Sequence, residues 1–319
     1  MRNKTSKNNE AGGQRVIVGL VQHPCSPYPE ENLKKAAQGI GEAIQRGAQI
    51  VSLQELFRTE YFCQTENRAH FKLAEAIPGP TSEALSSLAK RHKIVLVGSL
   101  FEKSGEGYFN TAVLFNTDGQ FIGKYRKIHI PNDLKNYYGE SFYFSPGDTG
   151  TPVFESPYGR IGLQVCYDQW FPEGARALAK AGAQIIFYPT AIGYALPSPL
   201  PPRGEGNYNQ ARRAVEGEAS SPPLPRRGGG GDASPCNDEL DAWITIQRGH
   251  AIANGVFIAA TNRVGKEDHI EFWGSSFVVD PMGRVLVKGS PEKEEVVTTE
   301  CDLSRINEVR KDWPFLKEC

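Results

Sequence analysis

The chain has 319 residues, of which 39% are hydrophobic and 23% are charged, and its formal net charge is -1. This length predicts one large α/β domain or two smaller ones, and the composition suffices for a sizeable core. The near-neutral charge gives no basic surface of the kind that binds nucleic acid, and no apolar run is long enough to cross a membrane.

The first 14 residues are polar and lack a hydrophobic centre, so they predict a disordered leader rather than a secretory signal. The cysteines are scattered along the chain: Cys25, Cys63, Cys166, Cys236, Cys301 and Cys319. Because the sequence has neither a Cys-x-x-Cys pair nor a His-Glu-x-x-His motif, we expect no metal and no cofactor. Without a secretory signal, we expect reduced thiols and a cytoplasmic protein.

Apolar residues recur with the periods of strands and helices along most of the remaining sequence. In chain order, strands are predicted over residues 16–21, 49–53, 94–100, 111–115, 120–124, 153–155, 160–166, 183–188, 256–260, 275–279, 285–288 and 296–301. Helices are predicted over residues 32–46, 81–92, 172–181, 240–254 and 303–309. Helices that alternate with apolar strands and hairpins indicate a layered α/β fold with mixed strand directions.

Residues 197–235 interrupt this pattern, because they are rich in Pro, Gly, Arg and Ser and contain almost no large apolar side chain. Residues 198–204 and 221–228 are near copies of each other. Such a composition cannot bury enough apolar surface to offset the loss of chain entropy on folding. We therefore predict a disordered insertion, which is either a tolerated accident or a proline-rich ligand for a partner.

The segment that ends in Cys166 gives the strongest indication of chemistry. Residues 160–166 alternate as in a buried strand, and Pro172 can open the next helix, so Cys166 is predicted at a strand-to-helix turn. Backbone N–H groups converge at such a turn and stabilise an anion there. This environment can make a cysteine a nucleophile, although most free cysteines are buried and inert.

Two further polar residues follow predicted strands and suit the same reaction. Glu55 follows the strand at 49–53, and a buried carboxylate with a raised pKa can accept the proton of a thiol. Lys127 follows the strand at 120–124, and a nearby ammonium favours the thiolate and can face a developing oxyanion. Taken singly, a glutamate after a strand is more often a solvated loop residue, and a basic cluster such as the one around Lys127 is usually a solvated edge. Sequence spacing also does not show that the three side chains meet.

Three stretches of sequence carry a family resemblance: QELF at 54–57, YRKIHIP at 125–131 and CYDQWFPE at 166–173. In this order they resemble the three signatures of the nitrilase superfamily of carbon–nitrogen hydrolases. The resemblance implies a single domain over residues 15–319, interrupted by the insertion and built as a four-layer α-β-β-α sandwich. It also implies that Glu55 is the general base, Lys127 a transition-state stabiliser and Cys166 the nucleophile.

The resemblance adds two supporting groups to this set. Glu140 resembles the extra carboxylate that often lines the site in this superfamily, although it could also act only by positioning Lys127 through charge. The backbone N–H of Tyr167 is expected to join Lys127 in holding the oxyanion. The resemblance assigns no catalytic role to His129, which we interpret as packing or support. His250 lies within a predicted amphipathic helix, so we interpret it as an interior or interface residue.

Further stretches at 186–193, 243–255, 262–265 and 272–276 are similar to members that hydrolyse the ureido group of a carbamoylated diamine in polyamine synthesis. The cationic tail of such a substrate would bind to carboxylates, carbonyls or aromatic faces. Asp133, Asp168 and Trp170 are the available candidates, and each is also explained as a loop or capping residue.

Two alternatives stay open. A relative that acts on N-carbamoyl amino acids or β-ureidopropionate would need a cation for the carboxylate of its substrate. In the second alternative the protein is not an enzyme but a scaffold, because the insertion has disabled the active site. The resemblance also implies a homo-oligomer, and we expect a small-molecule ureido substrate with neither a nucleic-acid nor a membrane partner.

Overall fold

The computed structural model describes residues 14–196 and 235–317. The predicted leader and insertion therefore lie outside the described residues, except for one residue of each. Gln14 belongs to the folded part, because its carbonyl accepts a hydrogen bond of 3.0 Å from the N–H of Leu303. Pro235 begins a helix, so the helix starts five residues before the predicted position. Among the described helices, none has the length and apolarity that a membrane span requires.

Strands and helices follow the predicted order, with additional short strands. The strands are β1 (Arg15–Gln22), β2 (Ile50–Leu53), β3 (Val95–Ser104), β4 (Gly107–Phe115), β5 (Phe121–Arg126), β6 (Asn132–Asp133), β7 (Tyr138–Gly139), β8 (Val153–Ser156), β9 (Gly159–Leu163), β10 (Ile185–Pro189), β11 (Gly193–Ala195), β12 (Phe257–Thr261), β13 (Val264–Glu267), β14 (Ile270–Trp273), β15 (Phe277–Val279), β16 (Val285–Lys288) and β17 (Glu295–Asp302). The helices are α1 (Pro29–Gln45), α2 (Pro80–His92), α3 (Pro172–Lys180), α4 (Pro235–Asn254) and α5 (Ser304–Asp312).

Two six-stranded sheets form the centre of the molecule. One has the strand order β17-β1-β2-β3-β4-β5, and the other has the order β16-β15-β12-β10-β9-β8. In the first sheet β1, β2 and β3 are parallel, whereas β17, β4 and β5 run antiparallel to their neighbours. The predicted mixture of strand directions is therefore present.

Alternate residues of β1 show how the layers are built. Val16, Val18 and Leu20 belong to the core between the two sheets, whereas Val21 packs in the core beneath α1 and α2. Helices α3 and α4 cover the outer face of the second sheet in the same way, with Trp243 fully buried there. The predicted four-layer α-β-β-α sandwich is confirmed.

The strand that precedes Cys166 is shorter than predicted. It ends at Leu163 instead of continuing to Cys166. The reason is local, because the N–H of Val165 donates to the side chain of Asp168 at 3.1 Å instead of to a neighbouring strand. The chain then enters a 3-10 turn over Cys166–Trp170, which leads into α3.

The sequence patterns did not predict the small sheet β11-β14-β13. Its strands have three or four residues each and carry charges such as Lys266 and Glu271, so they lack a clear apolar alternation. Residues of β11 and β14 pair directly, with Gly193 opposite Phe272. This sheet contributes part of the wall of the cavity described below.

Candidate active site

Glu55 lies two residues after the end of β2 and is fully buried. Its Oε1 accepts hydrogen bonds from Asn110 Nδ2 at 2.7 Å and from Lys127 Nζ at 2.9 Å. Its Oε2 is also buried, and it has no hydrogen-bond partner within the described part of the chain. One oxygen is therefore fixed by two donors, while the other is available to accept a proton.

Lys127 lies directly after β5 and is fully buried with its charge compensated. Besides Glu55, its Nζ contacts both carboxylate oxygens of Glu140, at 2.8 Å and 2.7 Å. Burial alone would lower the pKa of Lys127, but the charges of Glu140 and Glu55 outweigh burial and hold that pKa well above its usual value. The side chain is thus a permanent ammonium between two carboxyl groups.

Glu140 follows β7 and opens a short 3-10 turn, Glu140–Phe142. Its Oε1 also accepts a hydrogen bond of 2.6 Å from the hydroxyl of Tyr61. Burial raises the pKa of the Glu140 carboxyl to about 7, although Lys127 opposes the shift. Glu140 both contacts Lys127 and lines the cavity, so the two expected roles are compatible.

Cys166 opens the 3-10 turn with a φ of 43°, a left-handed conformation that is costly for any residue with a side chain. Its thiol lies 3.8 Å from the carbonyl of Ala191. Burial raises the pKa of the Cys166 thiol well above its usual value, the charge of Glu55 adds to this shift, and the charge of Lys127 opposes it. A thiol whose pKa is raised in this way keeps its proton unless a neighbouring base accepts it.

The structure does not bring Asp168 to the cavity wall, where the sequence suggested that it could contact substrate. Asp168 is fully buried, and both of its oxygens are engaged by the protein. Oδ2 accepts from the hydroxyl of Tyr125 at 2.8 Å and from the N–H of Val165, and Oδ1 accepts from the N–H of His129 at 2.9 Å. These bonds make Asp168 a brace for the turn that carries Cys166.

A cavity of about 450 Å³ opens onto Cys166 and Glu140. It is lined by Pro131, Asp133, Asn136, Tyr138, Glu140, Cys166, Tyr167, Trp170, Ile192, Gly193, Tyr194, Ala195, Glu239, Ala242 and Trp273. The predicted residues Asp133, Tyr167 and Trp170 are thus in the wall, while Glu55 and Lys127 lie outside this lining. No lysine or arginine occurs among the described residues that line the cavity.

Several residues of the site were not predicted from the sequence. Asn110 and Tyr61 bind the two carboxylates, and Glu239 of α4 adds a charge to the cavity wall. A polar residue inside the apolar strand β4 was a possible signal for Asn110. Glu239 gave no signal, because it lies next to the segment predicted to be disordered.

Comparison with known proteins gives consistent matches along nearly the whole chain. Residues 17–212 and 239–311 match the sequence profile of a family described as Carbon-nitrogen hydrolase. The sequence is similar to an N-carbamoylputrescine amidase of Oryza sativa subsp. japonica, with 35% identity over 96% of this chain and 92% of that protein. It is also similar to a citrullinase of Francisella tularensis subsp. tularensis, with 32% identity over 95% and 94% of the two chains.

The fold is similar to a crystal structure of a carbon–nitrogen hydrolase from Helicobacter pylori G27. The two chains share 38% sequence identity, and the match covers 96% of this chain and 95% of the other. The TM-score of 0.80 indicates the same arrangement of layers.

Proposed function

Because the chain belongs to the carbon–nitrogen hydrolase family, we propose that it hydrolyses the ureido group of N-carbamoylputrescine to putrescine, ammonia and carbon dioxide. That it is a hydrolase of carbon–nitrogen bonds follows from the family itself. The main support for the mechanism is the buried cluster of Glu55, Lys127 and Glu140, whose charges all act on the thiol of Cys166. The proposed role lies in polyamine biosynthesis.

In the first step Glu55 is the general base. Its Oε2 takes the proton of the Cys166 thiol, while Oε1 stays fixed by Asn110 and Lys127. Because the thiol is neutral at rest, this transfer must accompany the attack of sulfur on the ureido carbon. A carbon–sulfur bond forms, and the electron pair of the C=O bond moves to oxygen.

The oxyanion that results is stabilised by Lys127 and by the backbone N–H of Tyr167. Tyr167 is the second residue of the turn Cys166–Trp170, and the first N–H groups of a helical turn have no acceptor within it. The loss of a single oxyanion donor typically lowers the rate about 10²–10³-fold. Glu140 keeps Lys127 charged and in place through two short contacts.

The remaining steps return the enzyme to its starting state. Glu55 gives its proton to the departing nitrogen, and the first carbon–nitrogen bond breaks to leave an acyl group on sulfur. Glu55 then takes a proton from water as the water oxygen attacks the same carbon. The carbon–sulfur bond breaks, and Glu55 returns that proton to sulfur, which restores the thiol and the carboxylate. The carbamic acid product breaks down to carbon dioxide and the nitrogen product that did not leave in the first step. One ureido group and one water therefore yield putrescine, ammonia and carbon dioxide.

The cavity wall supports a substrate with a cationic tail. Asp133 and Glu239 bring negative charge, and Trp170 and Tyr194 offer aromatic faces that attract an ammonium group. Asp133 also accepts hydrogen bonds from Asn136, which holds its carboxylate at the wall. An N-carbamoyl amino acid would place its own carboxylate against these charges with no cation in the described lining.

The test is ammonia release from four substrates: N-carbamoylputrescine, citrulline, N-carbamoyl-β-alanine and N-butylurea. N-butylurea matches the proposed substrate but lacks the ammonium group. We expect N-carbamoylputrescine to have the highest kcat/KM, and Glu239→Gln to lower this value while leaving that of N-butylurea unchanged. A preference for the anionic substrate would overturn the assignment.

A cytoplasmic location and assembly into homo-oligomers are further parts of the proposal, which cell fractionation and light scattering would test.

A further inference from the structure

Arg263 and Glu267 form a buried ion pair that the mechanism above does not use. Arg263 is 0% exposed and Glu267 is 3% exposed, and Nη1 of the arginine contacts both carboxylate oxygens at 2.8 Å and 2.7 Å. Neither residue lines the cavity. Taking two charges out of water is costly, and their mutual attraction repays that cost only when the geometry is good and further hydrogen bonds satisfy the remaining polar groups.

The second arm of Arg263 reaches the backbone that carries the proposed base. Its Nη2 donates to the carbonyl of Glu55 at 2.9 Å and to the carbonyl of Leu56 at 3.2 Å. Leu56 has a φ of 48°, a left-handed conformation that a bulky residue keeps only when its surroundings enforce it. Its N–H is held by the hydroxyl of Ser99 at 3.1 Å. The peptide group between Glu55 and Leu56 is therefore held at its carbonyl by Arg263 and at its N–H by Ser99.

Glu267, the ion-pair partner of Arg263, is linked through Tyr61 to Glu140 of the charge cluster. Glu267 Oε2 accepts a hydrogen bond of 2.7 Å from the N–H of Tyr61, and the hydroxyl of Tyr61 donates to Glu140. Glu140 contacts Lys127, and Lys127 returns to Glu55. The hydrogen bonds therefore run in a closed circuit that begins and ends at Glu55.

The residue before Arg263, Asn262, holds the backbone of the segment that contacts Cys166. Asn262 accepts from the N–H of Ile192 at 3.0 Å and donates to the carbonyl of Ile192 at 2.9 Å. Ala191, the preceding residue, provides the carbonyl that contacts the Cys166 thiol. Two consecutive residues between β12 and β13 therefore attach to the base side and to the nucleophile side of the site.

We propose that Arg263 is a positioning residue that sets where the Glu55 carboxylate stands relative to Cys166, with Glu267 as the anchor of its guanidinium group. The proposal rests on the proposed role of Glu55 as general base. Arginine is needed because its planar fork serves the carboxylate of Glu267 and three backbone carbonyls at once, the third being that of Thr59 at 3.2 Å from Nη1. A lysine ammonium carries the same charge but cannot span both sets of acceptors.

The experiment compares Arg263→Lys with a matched control, Arg310→Lys. Arg310 likewise donates to backbone carbonyls, those of Asn254 and Ala183, but it belongs to α5 and has no contact with the charge cluster in the bonds described. Two readouts are needed: kcat and KM for ureido hydrolysis, and the rate at which iodoacetamide alkylates Cys166. The alkylation rate reports on the base without involving substrate binding.

For Arg263→Lys we expect a fall in kcat of about 10²-fold, since a displacement of about 1 Å at a reacting group has an effect of this size. The alkylation rate should fall in parallel, with KM nearly unchanged, and Arg310→Lys should match the parent in both readouts. A folded Arg263→Lys protein with a kcat within about threefold of the parent would overturn the proposal.

A second variant covers the case in which Arg263→Lys does not fold. Glu267→Gln keeps an acceptor for Arg263 but removes the charge, and we expect it to lower kcat and the alkylation rate together. If both variants are unfolded while Arg310→Lys is folded, Arg263 serves stability and the proposal fails. Glu55→Gln distinguishes failure of the proposed function from failure of the proposal for Arg263. An active Glu55→Gln protein would refute the role of Glu55 as general base.

Discussion

Acid should destabilise the protein through His23, which lies just after β1 and is 1% exposed. Its N–H and carbonyl are both bound by the side-chain amide of Gln54, the neighbour of Glu55, and its Nδ1 lies 3.1 Å from the carbonyl of Pro24. Burial lowers the pKa of His23 to about 4, although the Pro24 carbonyl opposes the shift and the charge of Arg263 adds to it.

The size and direction of the effect follow from the two protonation states. In the unfolded chain the pKa of His23 is 6.5, so between pH 6.5 and 4 the unfolded state binds a proton that the folded state does not. Stability must therefore fall as the pH falls through this window. A difference from 6.5 to about 4 corresponds to about 3 kcal/mol in the free energy of unfolding.

Other groups titrate in the same range, so the assay must isolate His23. Burial lowers the pKa of His250, which acts in the same direction, whereas the raised pKa of Glu140 stabilises the folded state as the pH falls. We would measure urea unfolding from pH 7.5 to 4.5 for the parent, for His23→Asn and for the control His92→Asn. The asparagine keeps a donor near the Pro24 carbonyl but does not titrate.

We expect the curve of His23→Asn to be flatter than that of the parent, and the curve of His92→Asn to follow the parent. The parent and His23→Asn should differ most in slope between pH 6.5 and 5, where the unfolded histidine takes up its proton. If the free energies of unfolding of these two proteins fall in parallel across the range, His23 is protonated in the folded state and our account of its burial is wrong.

Three further predictions concern the site and the inserted segment. Cys166→Ala should give a folded protein without turnover, as measured by circular dichroism and ammonia release, and substantial remaining turnover would refute the nucleophile. Tyr61→Phe should lower kcat about tenfold, because a hydrogen bond to a charged group is lost, and should move the acidic limb of the pH–rate profile upward, because this bond lowers the pKa of Glu140; an unchanged profile would contradict it. Replacing residues 197–234 with a short Gly-Ser linker should leave kcat within about twofold, because the reacting groups all come from other segments of the chain; activity that appears only after the deletion would instead indicate an obstructed site.

The layered fold could be predicted from the sequence because its strands and helices bury regular faces. Val16, Val18 and Leu20 occupy alternate positions of β1 and face the core between the sheets. Such an alternation can be seen in the sequence without knowing which segments pack against the strand. Short strands such as β11 and β13 were missed, because they contain small and charged residues and show neither an apolar run nor an apolar alternation. Asp168 was misplaced for a related reason, since its partners Tyr125 and His129 are about 40 residues away in sequence.

The site itself could be predicted only in part. Glu55 and Lys127 each follow a predicted strand, Cys166 ends one, and all three match a family signature, so the sequence alone predicts them as catalytic residues. Arg263 has no such signature, because its acceptors at Glu55 and Leu56 are 208 and 207 residues away. Residues that act by holding the backbone of a distant segment have no local signal in the sequence, and only the folded chain reveals them.

The burial of Cys166, which raises the pKa of its thiol, has a consequence for how the protein reacts with oxidants. Peroxides and most alkylating agents react with thiolates, and a protonated sulfur is a poor target. An enzyme that forms its thiolate only at the moment of attack keeps that vulnerable species scarce between turnovers. We therefore expect the substrate-free protein to accumulate sulfenic acid slowly in hydrogen peroxide, in contrast to enzymes whose active cysteine is permanently ionised.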